Sequence, residues 1–176
     1  AVLPHADPLH KVTILPIGMA LGVTQQLPAE DRHSYDQGYL EDRLCIAMGG
    51  RMAEEIVFDV VSTGGSNDLQ TSTELARKMV REWGMSKRVG PMAWGSQGQV
   101  FLGEDLMHTR DYSDDTARVI DEEVEGILRA QEDKCRQLLE EHRNGLDLVA
   151  PAPDATIDRT RASVLLPSGP VRAEGT

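Results

Sequence analysis

The sequence predicts a mainly α-helical domain with a small β-sheet near its N-terminus and a long helix toward its C-terminus. Two short β-rich runs near the start and three apolar patterns at helical spacing carry that expectation. An aromatic content of only 4% supports it, because the core must then be built from Leu, Val, Ile, Met and Ala. A chain of 176 residues suits one domain with a real core. We place that domain at residues 1–149 and expect a loosely structured tail over 150–176, where four prolines and little periodicity follow Val149.

Taken in order, "KVTILP" (11–16) and "ALGVTQQL" (20–27) read as two strands of a small sheet or hairpin, stopped by Pro28. From about Asp36 to Phe58, Leu40, Leu44, Ala47, Met48 and Ile56 recur at helical spacing. Gly49-Gly50 inside that run would each cost about 1 kcal/mol against alanine. The pair implies either close approach of another backbone or a break between two shorter helices. A further helix begins near Asp68, with Leu69, Ala76, Met79, Val80 and Trp83 on one face and Gly84 as its stop. Asn67, with Gln70 three residues on, has the form of a capping box. Residues 89–103, rich in glycine, read as irregular or β structure. Ser113 then caps a long helix whose first turn holds Asp114 and Asp115 against the positive helix end. Its stripe runs through Ala117, Ile120, Val124, Ile127, Leu128, Cys135, Leu138 and Leu139, with Asn144-Gly145 as the expected terminator.

The charge balance removes one class of partner. Twenty-nine acidic against eighteen basic residues give a formal charge of -11, which opposes binding to phosphate backbones, so no nucleic acid is expected. The two cysteines, Cys45 and Cys135, fall within helical apolar patterns and read as free buried thiols in a reducing compartment. No run of eighteen apolar residues and no signal-peptide pattern occurs, so the chain itself is not expected to insert in a membrane.

Few catalytic signatures are present. There is no G-x-S-x-G, no phosphate-cradling G-x-x-x-x-G-K and no C-x-x-C. His5 and His10 are five apart with Pro8 between them, which is not the spacing that sets two imidazoles on one helix face. His33, His108 and His142 stand alone. The informative carboxylate is Asp68, delivered onto a helix by the Gly-rich turn of "VSTGGSNDLQ". On spacing alone it is either an acidic residue favoured by the helix dipole or one ligand of a metal site whose other parts lie elsewhere.

Several segments together resemble one family. "HKVTILPIGMALGVTQQLPAEDR", "DRLCIAMGGRMAEEIVF", "VSTGGSNDLQTSTELARKMVREWGMSKRVGPMAW" and "FLGEDL" occur in order over about residues 2–149, and are similar to the peptidase domain of the FtsH family. Members of that family are membrane-anchored AAA+ zinc proteases. The resemblance implies a helical zinc-peptidase domain in which two histidines of an H-E-x-x-H helix and the aspartate of S-T-G-x-x-N-D hold zinc, and it maps that aspartate onto Asp68. The sequence contains no H-E-x-x-H. The chain is therefore expected to begin just after that helix, so that both histidines and the general-base glutamate lie upstream. No catalytic residue is assigned here, and the chain alone is expected to be inactive.

The resemblance further implies a supporting role beside the zinc site for Glu54, which on its own reads as a solvated helix carboxylate. It implies that Ala20, Leu21, Gly22 and Val23 line the substrate cleft as an edge strand that could pair with substrate backbone, where an ordinary sheet strand is the plainer reading. For the parent protein it implies ATP and Mg bound by an upstream ATPase module, a homo-hexamer, and degradation of membrane and cytosolic proteins at the cytoplasmic face of the bacterial inner membrane. A second class of function stays open: a non-catalytic helical assembly module that has lost its metal site. Without the missing helix, Leu40 to Ile56 and the start of the Asp68 helix would be exposed and apolar.

Overall fold

The structure, a computed structural model, describes residues 2–13, 23–26, 34–94, 112–149 and 156–158. The chain divides into two compact units, Ala1–Asp42 with Arg136–Thr176, and Arg43–Cys135.

The first unit holds the sheet. Strands β1 (Leu9–Thr13) and β2 (Val23–Gln26) pair antiparallel, as the two β-rich runs imply, with an irregularity between Leu9 and Lys11. A third strand, β3 (Thr156–Asp158), pairs antiparallel with the other side of β1, giving the order β2-β1-β3. It falls inside the stretch that the sequence leaves without regular structure.

Helix α1 (Gln37–Phe58) runs without a break through Gly49-Gly50. The break is excluded because the helix is continuous, and among the described residues a Cβ added at either glycine meets nothing within 4 Å. The start of α1 is tied to the N-terminal segment inside the first unit. Asp36 caps it by accepting from the Tyr39 N–H at 2.8 Å, and the Tyr39 hydroxyl donates to Asp7 Oδ2 at 2.7 Å. The Asp42 carboxylate, fully buried, accepts from the His5 backbone N–H at 2.8 Å. Tyr35 stacks on Tyr39 with ring centroids 4.9 Å apart.

The second unit is the helical core. Leu44, Met48 and Met52 of α1 are buried, as are Ala76, Met79 and Val80 of α2 (Ser66–Arg81) and Ile120 and Val124 of α3 (Asp114–Glu141). Removing each large aliphatic side chain from water is worth about 1.5–3 kcal/mol. Cys45 and Cys135 are buried and in no disulfide. Two residues assigned to the apolar face of this helix, Leu69 and Trp83, are instead exposed, Trp83 lying past its end at Arg81, and the buried face of α2 includes Ser72.

Past α2 the chain turns through Gly84 at φ +62°, where a Cβ would stand 3.3 Å from Pro91 Cα. This bend is fastened to α3 by polar contacts. Buried Ser86 donates to Glu123 Oε2 at 2.7 Å, and Arg88 donates to Glu122 at 2.9 Å and to Glu123 at 3.2 Å. The Arg88 hydrogen bond holds the Glu122 carboxyl below its ordinary range. The stretch 95–111, which includes most of the expected irregular region, lies outside the described residues.

Ser113 caps α3 as expected, its hydroxyl accepting from the Thr116 N–H at 3.2 Å. Gln131 joins the buried face of α3, which the apolar pattern passes over. Asn144-Gly145 does not end this helix. α3 stops at Glu141, His142 is a single turn residue, and the pair falls inside a short following helix, α4 (Arg143–Val149).

Candidate metal centre

Asp68 reaches its place through four consecutive local features. α1 ends at Phe58 because Asp59 adopts a left-handed conformation, φ 53°, while its N–H still donates to the Glu55 carbonyl. The next residues, Val60 and Val61, are exposed. A single 3₁₀ turn, Thr63–Gly65, follows, with Ser62 as its cap: the Ser62 hydroxyl accepts from the Gly64 N–H at 3.1 Å. α2 then starts at Ser66, and Asp68 stands in its first turn, exposed and facing the positive helix end.

The capping box expected at Asn67 and Gln70 does not form. Gly65 is the residue before α2 and no side chain caps it, because the chain is already helical at Ser66 and Asn67 sits inside the first turn. Gln70 donates instead to Glu74, at 3.4 Å.

Glu54 lies one turn before the end of α1, half-buried. Its Oε2 accepts from the Ser62 hydroxyl at 2.8 Å, so it touches the turn that leads into the Asp68 helix. The sequence offers no direct sign of this contact, and Ser62 is a residue that sequence reasoning missed.

The segment between the end of α1 and the first turn of α2 also carries exposed apolar residues. Phe58 is 70% exposed, and Val57, Val60, Val61 and Leu69 are exposed as well. The expectation of an open apolar surface is met only in part at the start of α2, where Leu69 is exposed but Ser66, Asn67, Asp68 and Gln70 are polar. It fails for Leu40 to Ile56, because Leu40, Leu44, Met48 and Met52 are buried.

Of the expected substrate strand, Ala20, Leu21 and Gly22 lie outside the described residues, and Val23 opens β2. β2 occupies one edge of the sheet, so its outer side has no strand partner among the described residues. His5 packs its ring against Gly38, and His10 is exposed in β1. No helix among the described residues is long and apolar enough to cross a membrane.

Comparison with known proteins defines the class first. The description of Peptidase family M41 matches residues 1–153, and the chain belongs to that family. Individual relatives then sharpen the match. It is 65% identical over 151 residues to a protein of Acidimicrobium ferrooxidans named ATP-dependent zinc metalloprotease FtsH, covering 86% of this chain and 23% of that one. Proteins of the same name from Nitrosococcus oceani and Myxococcus xanthus are 50% identical over 152 residues and 46% identical over 176. These alignments cover 86% and 98% of this chain, and 24% and 28% of the relatives. The chain thus spans about a quarter of the length of the relatives it matches.

Zinc enters through those names, and Asp68 can be tested as a donor for it. Its carboxylate is exposed and makes no hydrogen bond or ion pair among the described residues, which suits an oxygen ligand of zinc. Among the described residues no three His, Cys, Asp or Glu side chains gather to hold a metal ion. They therefore fit one ligand of such a site and not the whole of it.

Proposed function

We propose that this chain is the greater part of the peptidase domain of an ATP-dependent zinc endopeptidase, and that Asp68 supplies one of its zinc ligands. The observation that carries this reading is the Asp68 carboxylate in the first turn of α2, behind a glycine turn and without a hydrogen bond or ion pair among the described residues, in a member of Peptidase family M41. The two histidines and the general-base glutamate of an H-E-x-x-H helix come from residues outside these 176, since the sequence contains no such motif. With a full ligand set, the metal would lower the pKa of a bound water and so supply the nucleophile for peptide hydrolysis. By itself this chain holds one ligand and does not cleave peptides.

Glu54 supports the site from beside it. The outer edge of β2, with Ala20, Leu21 and Gly22 ahead of Val23, receives substrate backbone as an added strand, which would make recognition depend little on side chains. Protein substrates from the membrane and the cytosol, ATP and Mg on a separate ATPase module, a homo-hexameric ring and a place at the cytoplasmic face of the inner membrane complete the proposal. The names of the relatives support its ATP and zinc parts.

The test compares this chain with one extended upstream through H-E-x-x-H, measuring zinc content and casein cleavage. The extended form is expected to bind one zinc and cleave, the shorter form to do neither, and Asp68→Ala in the extended form to abolish both. Unchanged zinc content after Asp68→Ala would overturn the proposal and leave Asp68 as a helix-start carboxylate in an assembly module.

A further inference from the structure

The chain between α1 and α2 poses a mechanical problem. Five of its neighbouring apolar side chains, Val57, Phe58, Val60, Val61 and Leu69, are exposed, so burial does little to fix the path that leads to Asp68. A metal ligand, however, has to stand within about half an ångström of its working position. What holds the path among the described residues is polar. The Ser62 hydroxyl has one proton and commits it to Glu54 Oε2 at 2.8 Å, which leaves its lone pairs to accept the Gly64 N–H at 3.1 Å. The next link is the Ser66 N–H, which donates to the Thr63 carbonyl and closes the turn onto the first residue of α2.

We infer that Glu54 and Ser62 are positioning residues for Asp68: the Glu54 carboxylate, acting through the Ser62 hydroxyl, fixes the 3₁₀ turn from which the Asp68 helix departs. The inference rests on the reading of Asp68 as a zinc ligand. Glu54 is a suitable anchor because it belongs to the regular part of α1, a full turn before the helix ends. Gly64 belongs to the same device. A Cβ at that position would lie 3.2 Å from Ser62 Oγ and 4.0 Å from Glu54 Oε1, pressing on the hydroxyl that bridges the two. From Ser66 onward the helix is continuous, so any shift of the turn is passed to Asp68 two residues later.

The experiment uses the intact protein that carries this chain and reads two quantities: amide hydrogen exchange of the segment 62–68, and zinc affinity by competition with a chelator. Glu54→Ala and Ser62→Ala should each speed exchange of the segment by about five- to tenfold, the worth of one ordinary hydrogen bond. Each should weaken zinc about 10- to 100-fold, as loss of a ligand's supporting partner does. The double variant should lose no more than either single one. Glu54→Gln keeps an oxygen that accepts from Ser62, so both readings should stay within about twofold of the parent. Unchanged exchange in Glu54→Ala would overturn the inference. So would a Glu54→Gln protein that keeps the exchange rate but loses zinc, because Glu54 would then be bonding the metal itself. If Asp68→Ala leaves zinc affinity unchanged while Glu54→Ala still speeds exchange, it is the zinc-ligand reading that fails and the turn contact that survives.

Discussion

The two ends of α1 are built in opposite ways. At the start, Tyr39 and Leu40 are buried, Asp42 is fully buried against the His5 N–H, and two further hydrogen bonds tie the first turn to Asp36 and Asp7. At the finish, Phe58 is 70% exposed, the chain leaves through a strained Asp59 at φ 53°, and the link onward is the carboxylate–hydroxyl contact of Glu54 with Ser62. One end of the helix is where stability is concentrated, and the other is where the candidate ligand is presented. The difference teaches that a single element can serve as foundation and as mount, provided the mount is held by directional bonds instead of packing.

The contrast can be broken most severely at the buried end. Leu40→Ala should lower the free energy of unfolding by about 3 kcal/mol, read as a shift of the urea midpoint, because it leaves a cavity where the side chain is 2% exposed. At the other end, Asp59→Gly should stabilise the protein by about 0.5–1 kcal/mol in the same assay, since glycine adopts a positive φ without the Cβ penalty that aspartate bears. The smallest effect belongs to Phe58→Gln, which should change stability by less than about 0.5 kcal/mol. A cost near that of Leu40→Ala would mean that Phe58 is covered in solution and that the two ends are alike.

Local signals in the sequence were followed closely. Ser113 ahead of two aspartates is a self-contained instruction, and its hydroxyl caps α3 as the pattern implies. The long period of α1 and the placement of Asp68 in a first turn were legible for the same reason. The failures share a cause, which is that the deciding neighbour is remote or geometric. Gly49-Gly50 reads as a contact or a break, yet whether a Cβ would meet anything depends on segments elsewhere, and among the described residues it meets nothing. Asn144-Gly145 is a good terminator that arrives too late, since α3 has already ended at Glu141. The bond between Glu54 and Ser62 spans the end of a helix, and no spacing rule announces it. For the site as a whole, the sequence shows one carboxylate and a family likeness, and among the described residues no group of metal-donor side chains gathers around it.

The arrangement of the sheet carries a consequence for how the chain comes to be folded. β1 lies in the middle of the order β2-β1-β3, and its second partner, β3, is roughly 150 residues away in sequence, as in the pairing of Lys11 with Asp158. β1 and β2 are close in sequence and can meet as soon as both have left the ribosome. At about 5–20 residues per second the third strand follows roughly 7–30 seconds later. Throughout that interval β1 offers an open edge to any other nascent strand. The last step in completing the sheet is therefore set by the pace of synthesis, and the hazard to be managed in the cell is premature pairing between neighbouring chains.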